Sequence, residues 1–218
     1  ETGRKWLIDT DADILVWGEA LPHEQGIKIR FLCAVADADT QPGSVGLGDV
    51  LDLAVNYDSE MASIIHAVIL AAIGPRKSSP QREELAELLS NPADKLNGLI
   101  ETLPGAMEEK ALASVMTAIG NVLASMWRLK EEPAYLDRAI KAYKLALVQS
   151  YDKENPLNWA LTQNQLAAAL QAQSSRDKQP GPLKEAAEAY LAVAAALGAH
   201  LHVNNWALAQ IHLGDVQV

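Results

Sequence analysis

Apolar positions change their period part-way along the chain. In the first third they alternate or come in short β-branched runs. Ile14-Leu15-Val16-Trp17 follows an acidic turn, Asp9-Thr10-Asp11-Ala12-Asp13, and predicts a strand. Ile27-Lys28-Ile29-Arg30-Phe31-Leu32 alternates apolar with basic residues, the pattern of a half-buried strand. Pro22-His23-Glu24-Gln25-Gly26 lies between them as a turn, so the two runs predict a hairpin. Residues 37–48 hold Pro42 and three glycines and read as a loop. Residues 51–55 alternate again, as a third strand. Residues 4–8 read as the end of a helix. Asp58-Ser59-Glu60 opens a second helix over 61–73, with acidic residues in its first turn and Gly74-Pro75 as its stop.

From residue 76 the pattern turns helical. Residues 76–80 are a polar linker, and 81–90 and 93–103 predict two short helices, each preceded by a proline. Everything after Pro104-Gly105 predicts helical hairpins. These hairpins repeat. Ile119, Leu166 and Leu213 stand 47 residues apart, each followed by a small residue: Gly120, Ala167 and Gly214. Leu112, Trp159 and Trp206 precede them by seven. Leu136, Ala139, Ala142 and Tyr143 recur 47 positions later as Leu183, Ala186, Ala189 and Tyr190. A helix pair cannot bury its apolar face alone, so a fixed offset of this kind predicts stacked pairs. The small residues are expected to let the first helix of each pair approach its neighbour. Tyr143 and Tyr190 are expected to fill the gap between pairs.

Large–small on the first helix, then Ala-x3-Tyr on the second, resembles the tetratricopeptide repeat. Residues 152–170, with Trp159, Asn164 and Leu170, are similar to the long-helix, kinesin-light-chain-like repeats of bacterial tetratricopeptide proteins. The usual period is about 34, so a period of 47 lengthens both helices and the loop. The resemblance covers 106–218 and implies a mostly α fold: an α-solenoid of helical hairpins preceded by a small α/β segment. It also implies a concave groove lined by the first helices, where an Asn grips ligand backbone. Counted from Leu166, that face holds Leu161, Asn164, Ala168 and Gln171; one repeat earlier it holds Ser114, Thr117, Asn121 and Ala124. Near the start, Gly3-Arg4-Lys5-Trp6-Leu7, residues 12–19 and Gly26-Ile27-Lys28-Ile29-Arg30-Phe31-Leu32 resemble TolB-N-like domains. The organisation expected is therefore an α/β segment over 1–75, linker helices over 76–105 and repeats over 106–218.

Composition narrows the partners. The chain carries 18 Lys+Arg against 28 Asp+Glu, a formal charge of −10. Nucleic acid is thereby disfavoured, because phosphate binding needs a basic face. Most of the excess is local: residues 1–75 hold 12 acidic and 4 basic side chains, and the rest is nearly balanced. Of 36 alanines, 24 fall in 106–218, which suits close helix approach. The apolar stretch 64–73 is too short to span a bilayer, so no integral membrane segment is expected. One cysteine, Cys33, excludes an intramolecular disulfide.

Catalytic motifs are missing, and no cofactor or metal is expected. Asp9, Asp11 and Asp13 are spaced like the start of a calcium loop, but Ile14 and Ala20 stand where that loop needs Gly and a bidentate Glu. His200, His202 and His212 lack companion ligands. Gly43, Gly46 and Gly48 lack the Lys-Ser/Thr of a phosphate loop. Thr162-Gln163-Asn164-Gln165 circles a full turn of an otherwise apolar helix. Those amides either tie neighbouring repeats together or face the groove and bind a peptide main chain. Lys130, Arg138, Lys141 and Lys144 read as a solvated helix face, or as a dock for the acidic first third. The function expected is a non-catalytic scaffold taking a protein or peptide partner; the alternative is a regulatory or ligand-sensing module of a larger bacterial signalling protein. A chain that stops inside a first helix, with Trp206, Leu213 and Val216 uncovered, is also expected to continue into further repeats or to self-associate at that end.

Overall fold

The computed structural model describes residues 2–12, 14–21, 26–33, 42–43, 50–54, 59–73, 79–102, 109–148, 156–201, 210–211 and 214. The fold is mostly helical, with one small antiparallel sheet near the start. Helix α1 spans Thr2–Thr10 and strand β1 Ile14–Leu21. The acidic turn between them is a helix stop. Asp11 takes a left-handed conformation (φ 50°), the Ala12 amide reaches back to the Leu7 carbonyl at 3.0 Å, and the Asp11 amide points to the Ile8 carbonyl. Strand β2 spans Gly26–Cys33 and pairs with β1 from Ile14↔Cys33 to Leu21↔Gly26, as the hairpin pattern predicts. Strand β3, Val50–Ala54, pairs with the other edge of β2, placing Ile29 opposite Leu51. The sheet order is β1-β2-β3.

The two faces of β2 are covered differently. Ile29 and Phe31 point with Leu51 into the main core. Leu32, on the opposite face, is covered by α1. A Cβ at Gly3 would stand 2.8 Å from Leu32 Cδ2, so α1 lies directly on the hairpin.

Helix α2 spans Ser59–Ile73 and buries Ile64, Ala67, Val68 and Ala71, a stripe at helical spacing. The next helix differs from expectation. Residues 81–90 and 93–103 are not two helices; α3 runs unbroken from Ser79 to Thr102 with Pro92 inside it. Leu89, Ala93, Leu96 and Ile100 keep one buried face across the proline. Burial on both sides of Pro92 holds the helix together against the loss of one backbone hydrogen bond. Helix α3 packs against both α2 and α4.

Helices α4 (Glu109–Lys130), α5 (Pro133–Leu147), α6 (Leu157–Asp177) and α7 (Pro180–Leu201) form two antiparallel pairs. Their turns share one build, 47 residues apart. Glu131 (φ 60°) and Lys178 (φ 56°) are left-handed, and Pro133 and Pro180 open the following helix. A left-handed residue ends the helix, and proline suits a first helical turn because no partner is lost. Helix α2 also touches α4, and α4 touches α6. Helix α5 meets α3 and α7 through side chains: Tyr135 on Asp94, Lys141 on Glu101 and Lys144 on Glu185 at 2.7 Å. The basic cluster around α5 is thus partly paired along this row, and the described contacts do not carry it to the N-terminal third. Arg176 joins the end of α6 to the start of α5 through Asp137 (2.9 Å) and the Pro133 carbonyl (3.1 Å).

One continuous core runs from Phe31 to Tyr190. A smaller cluster of Ala160, Val193, Ala194 and Leu197 lies between α6 and α7. Within the first pair, Gly120 and Tyr143 meet face on. A Cβ at Gly120 would lie 2.4 Å from Tyr143 Cε1 and 2.6 Å from Cδ1. The small residue therefore seats the tyrosine of its own pair. Residues 111–130 of α4 are long and apolar enough to cross a bilayer, and 78% of that stretch is buried inside the protein, as in a core helix. No clear membrane-spanning segment stands out among the described residues.

Candidate functional site

The first helices α4 and α6 carry the residues singled out from the sequence. On α4 the polar side chains Ser114, Thr117, Asn121 and Ser125 recur at intervals of three and four, a single stripe along the otherwise apolar middle of the helix, residues 111–127. Thr117 Oγ1 donates to the Ala113 carbonyl at 2.9 Å and lies 2.9 Å from Thr162 Oγ1 of α6. Thr162 is itself buried and also reaches the Asn158 carbonyl. The two threonines join adjacent first helices.

Asn121 does not stand open to solvent. It is 3% exposed, and the buried Tyr143 hydroxyl donates to its Oδ1 at 2.9 Å. Tyr190, the repeat equivalent of Tyr143, reaches Gln171 Oε1 in the same way at 3.4 Å. Each tyrosine thereby orients an amide on the first helix of its pair. Ala168 is buried and Leu161 half-buried. Asn164 Oδ1 is buried and accepts no hydrogen bond among the described residues, an exception to the usual pairing of buried acceptors.

A feature absent from the sequence reading lies across these helices. Pro42 and Gly43 are buried against α4 and α6. The Gly43 amide donates to Gln165 Oε1 of α6 at 2.8 Å. The Gly43 carbonyl accepts from Ser125 Oγ of α4 at 3.2 Å. Both main-chain polar groups of one residue are therefore held by side chains from two successive first helices. The fit is close: a Cβ on Gly43 would lie 2.7 Å from the Asn121 carbonyl oxygen, 2.8 Å from the Ser125 nitrogen and 2.9 Å from Ala124 Cβ. Gly43 also sits at φ 84°, where other residues are strained.

Among the residues singled out from the sequence, Asn121 and Ala124 stand against Gly43 on α4. The atoms that grip the main chain belong to Gln165, one position beyond Asn164, and to Ser125, one turn beyond Asn121. The signal that points to Ser125 is the polar stripe on α4, whose last member it is.

Elsewhere, a concavity at the far end of α4 is lined by Arg82, Glu87, Leu129 and Glu131. Arg82 is already engaged there, because its Nη2 donates to the Arg128 carbonyl at 2.6 Å and caps the helix end. Among the described residues no three His, Cys, Asp or Glu side chains come together. Asp13 and the histidines at 202 and 212 lie outside the described residues, as do Trp206, Leu213 and Val216. The chain matches no family model, no curated protein and no solved structure.

Proposed function

We propose that this chain is a non-catalytic interaction scaffold, a short tetratricopeptide-like solenoid whose first helices bind a peptide main chain from a protein partner. One observation carries the reading: the Gly43 amide and carbonyl are held by Gln165 and Ser125 across α4 and α6. A face that binds its own main chain through uncharged side chains has the chemistry to bind another. It reads backbone through hydrogen bonds and close fit, without charge pairing, which suits the near-neutral balance of the repeat region. The shared turn at Glu131 and Lys178 supports stacked, equivalent hairpins.

The test is selection of a displayed random peptide library on the full chain. Titration of the enriched peptides against the chain and its Gln165→Ala variant follows. Peptides that bind the parent and lose at least tenfold in the variant, with helix content unchanged by circular dichroism, are the expected result. Enrichment of nothing, or binding indifferent to Gln165, overturns the reading.

A further inference from the structure

The shape at Gly43 says more than that a main chain is bound. Four features converge there: a donor, Ser125 Oγ; an acceptor, Gln165 Oε1; a wall made by the Asn121 carbonyl, Ser125 nitrogen and Ala124 Cβ; and a left-handed backbone. The wall leaves no room for a side chain at the residue held, and the backbone angle independently favours glycine. Two of the three wall atoms are helix main chain and the third is a Cβ, so the wall does not yield by a side-chain flip. Proline immediately before Gly43 limits the chain's freedom and lowers the entropy lost on docking.

We propose that Asn121, Ala124, Ser125 and Gln165 form a glycine-selective clamp, and that its partner is a protein segment presenting a Pro-Gly turn. This rests on the scaffold reading above. In the present conformation the chain's own Pro42-Gly43 occupies the clamp. A partner turn competes with it, and the apparent affinity of the unaltered chain is reduced by the fraction of molecules whose clamp is filled. Selectivity against any residue with a Cβ comes from clash and strain at the held position.

The probe is a fluorescent peptide of sequence Ala-Asp-Thr-Gln-Pro-Gly-Ser-Val-Gly-Leu, the stretch 38–47 of this chain, with a control carrying Ala for its central Gly. Anisotropy is read against the full chain and its Gly43→Ala variant, which disfavours the internal occupant. The variant is expected to bind the Pro-Gly peptide at least tenfold more tightly than the parent. It should bind the Ala control at least tenfold more weakly, and lose the peptide when Gln165→Ala is added. A folded Gly43→Ala chain that ignores the peptide, or takes both peptides equally, overturns the clamp. If that variant fails to fold, the parent labelled with 15N-glycine gives a second reading. The Gly43 amide resonance should move toward its free-peptide position as the Pro-Gly peptide is added and stay put with the control; no movement at millimolar peptide overturns the clamp. Library peptides that depend on Gln165 but lack glycine would leave the scaffold reading standing and remove the clamp alone.

Discussion

Adding one methyl group at Gly120 tests whether the first helix pair is built as described. In a helix, Gly→Ala ordinarily stabilises by about 1 kcal/mol, through the lower backbone entropy of alanine in the unfolded chain. At Gly120 the new Cβ would fall 2.4 Å from Tyr143 Cε1, 2.6 Å from Cδ1 and 2.9 Å from Cζ. A ring is rigid, and Tyr143 is fully buried, so the strain has no flexible end to absorb it. Overpacking of a filled core costs about 1–3 kcal/mol. A ring that shifts to relieve the clash also loses its hydroxyl contact with Asn121, about 1 kcal/mol more. The net expectation is a loss of about 1–3 kcal/mol. Gly98 of α3 provides the opposite sign, since a Cβ there meets nothing within 4 Å; Gly98→Ala should gain about 0.5–1 kcal/mol. Urea unfolding followed by circular dichroism and tryptophan fluorescence measures both. With a slope of roughly 2 kcal/mol per M, the Gly120→Ala midpoint falls by about 0.5–1.5 M and the Gly98→Ala midpoint rises by about 0.3–0.5 M. If both substitutions raise the midpoint, Tyr143 does not pack over Gly120 and the account of the pair is refuted.

Three further expectations follow from local geometry. Pro92→Ala should raise stability by about 1–3 kcal/mol, because α3 runs through the position and the alanine restores a backbone donor; an unchanged melting curve would mean that the helix breaks there. Glu131→Gly and Lys178→Gly should each gain about 0.5–1 kcal/mol by relieving left-handed strain at the two hairpin turns, and a loss at either site would show that the turns differ. Burial, then the carboxylates of Asp94 and Glu132, hold the Tyr135 phenol above its ordinary value of 10.0. Above that pH the unfolded chain releases this proton first and binds fewer protons than the folded one, so stability falls as pH rises through the folded value. Between pH 9 and 11 the unaltered chain should lose stability more steeply than Tyr135→Phe, and parallel curves would contradict this.

The local elements were legible because their signals are local. Alternation placed β2, and the acidic turn before Ile14 reads in the structure as a helix stop with Asp11 left-handed. The offset of 47 residues marked two equivalent hairpins, and the structure returns it in a place the apolar pattern does not cover, the matched turns at Glu131 and Lys178. Where the reading departed, a longer-range term prevailed. Pro92 carries a strong local preference for ending a helix, but Leu89, Ala93, Leu96 and Ile100 are buried on one face across it, and tertiary burial outweighs one missing donor. Gly120 and Tyr143 were both marked as packing residues, yet the sequence spacing alone does not distinguish contact within a pair from contact between pairs.

The face on α4 and α6 was legible as a class and not as a set of atoms. Amides in the middle of apolar helices must find partners, and that argument marks residues 162–165 of α6; on α4 the contact to Gly43 comes from Ser125, a hydroxyl one turn beyond Asn121. The need for partners does not choose between Asn164 and Gln165, which lie 100° apart around the axis, because the choice depends on how α6 is rotated against α4. The Thr117–Thr162 contact reports that rotation: Thr162 faces α4, and Gln165, three residues on, shares its side. The occupant was further out of reach. Gly43 and Gln165 are separated by 122 positions, and no period or motif links a glycine-rich loop to a helix so distant. What the sequence does carry is the requirement at the held position. A proline followed by a glycine, in a stretch with no phosphate motif, has a physical explanation once the wall at Asn121, Ala124 and Ser125 is seen. Only a residue without a Cβ passes it. The same wall that selects Gly43 within the chain must act on any peptide that replaces it, so the internal contact and the predicted partner preference stand on one piece of geometry.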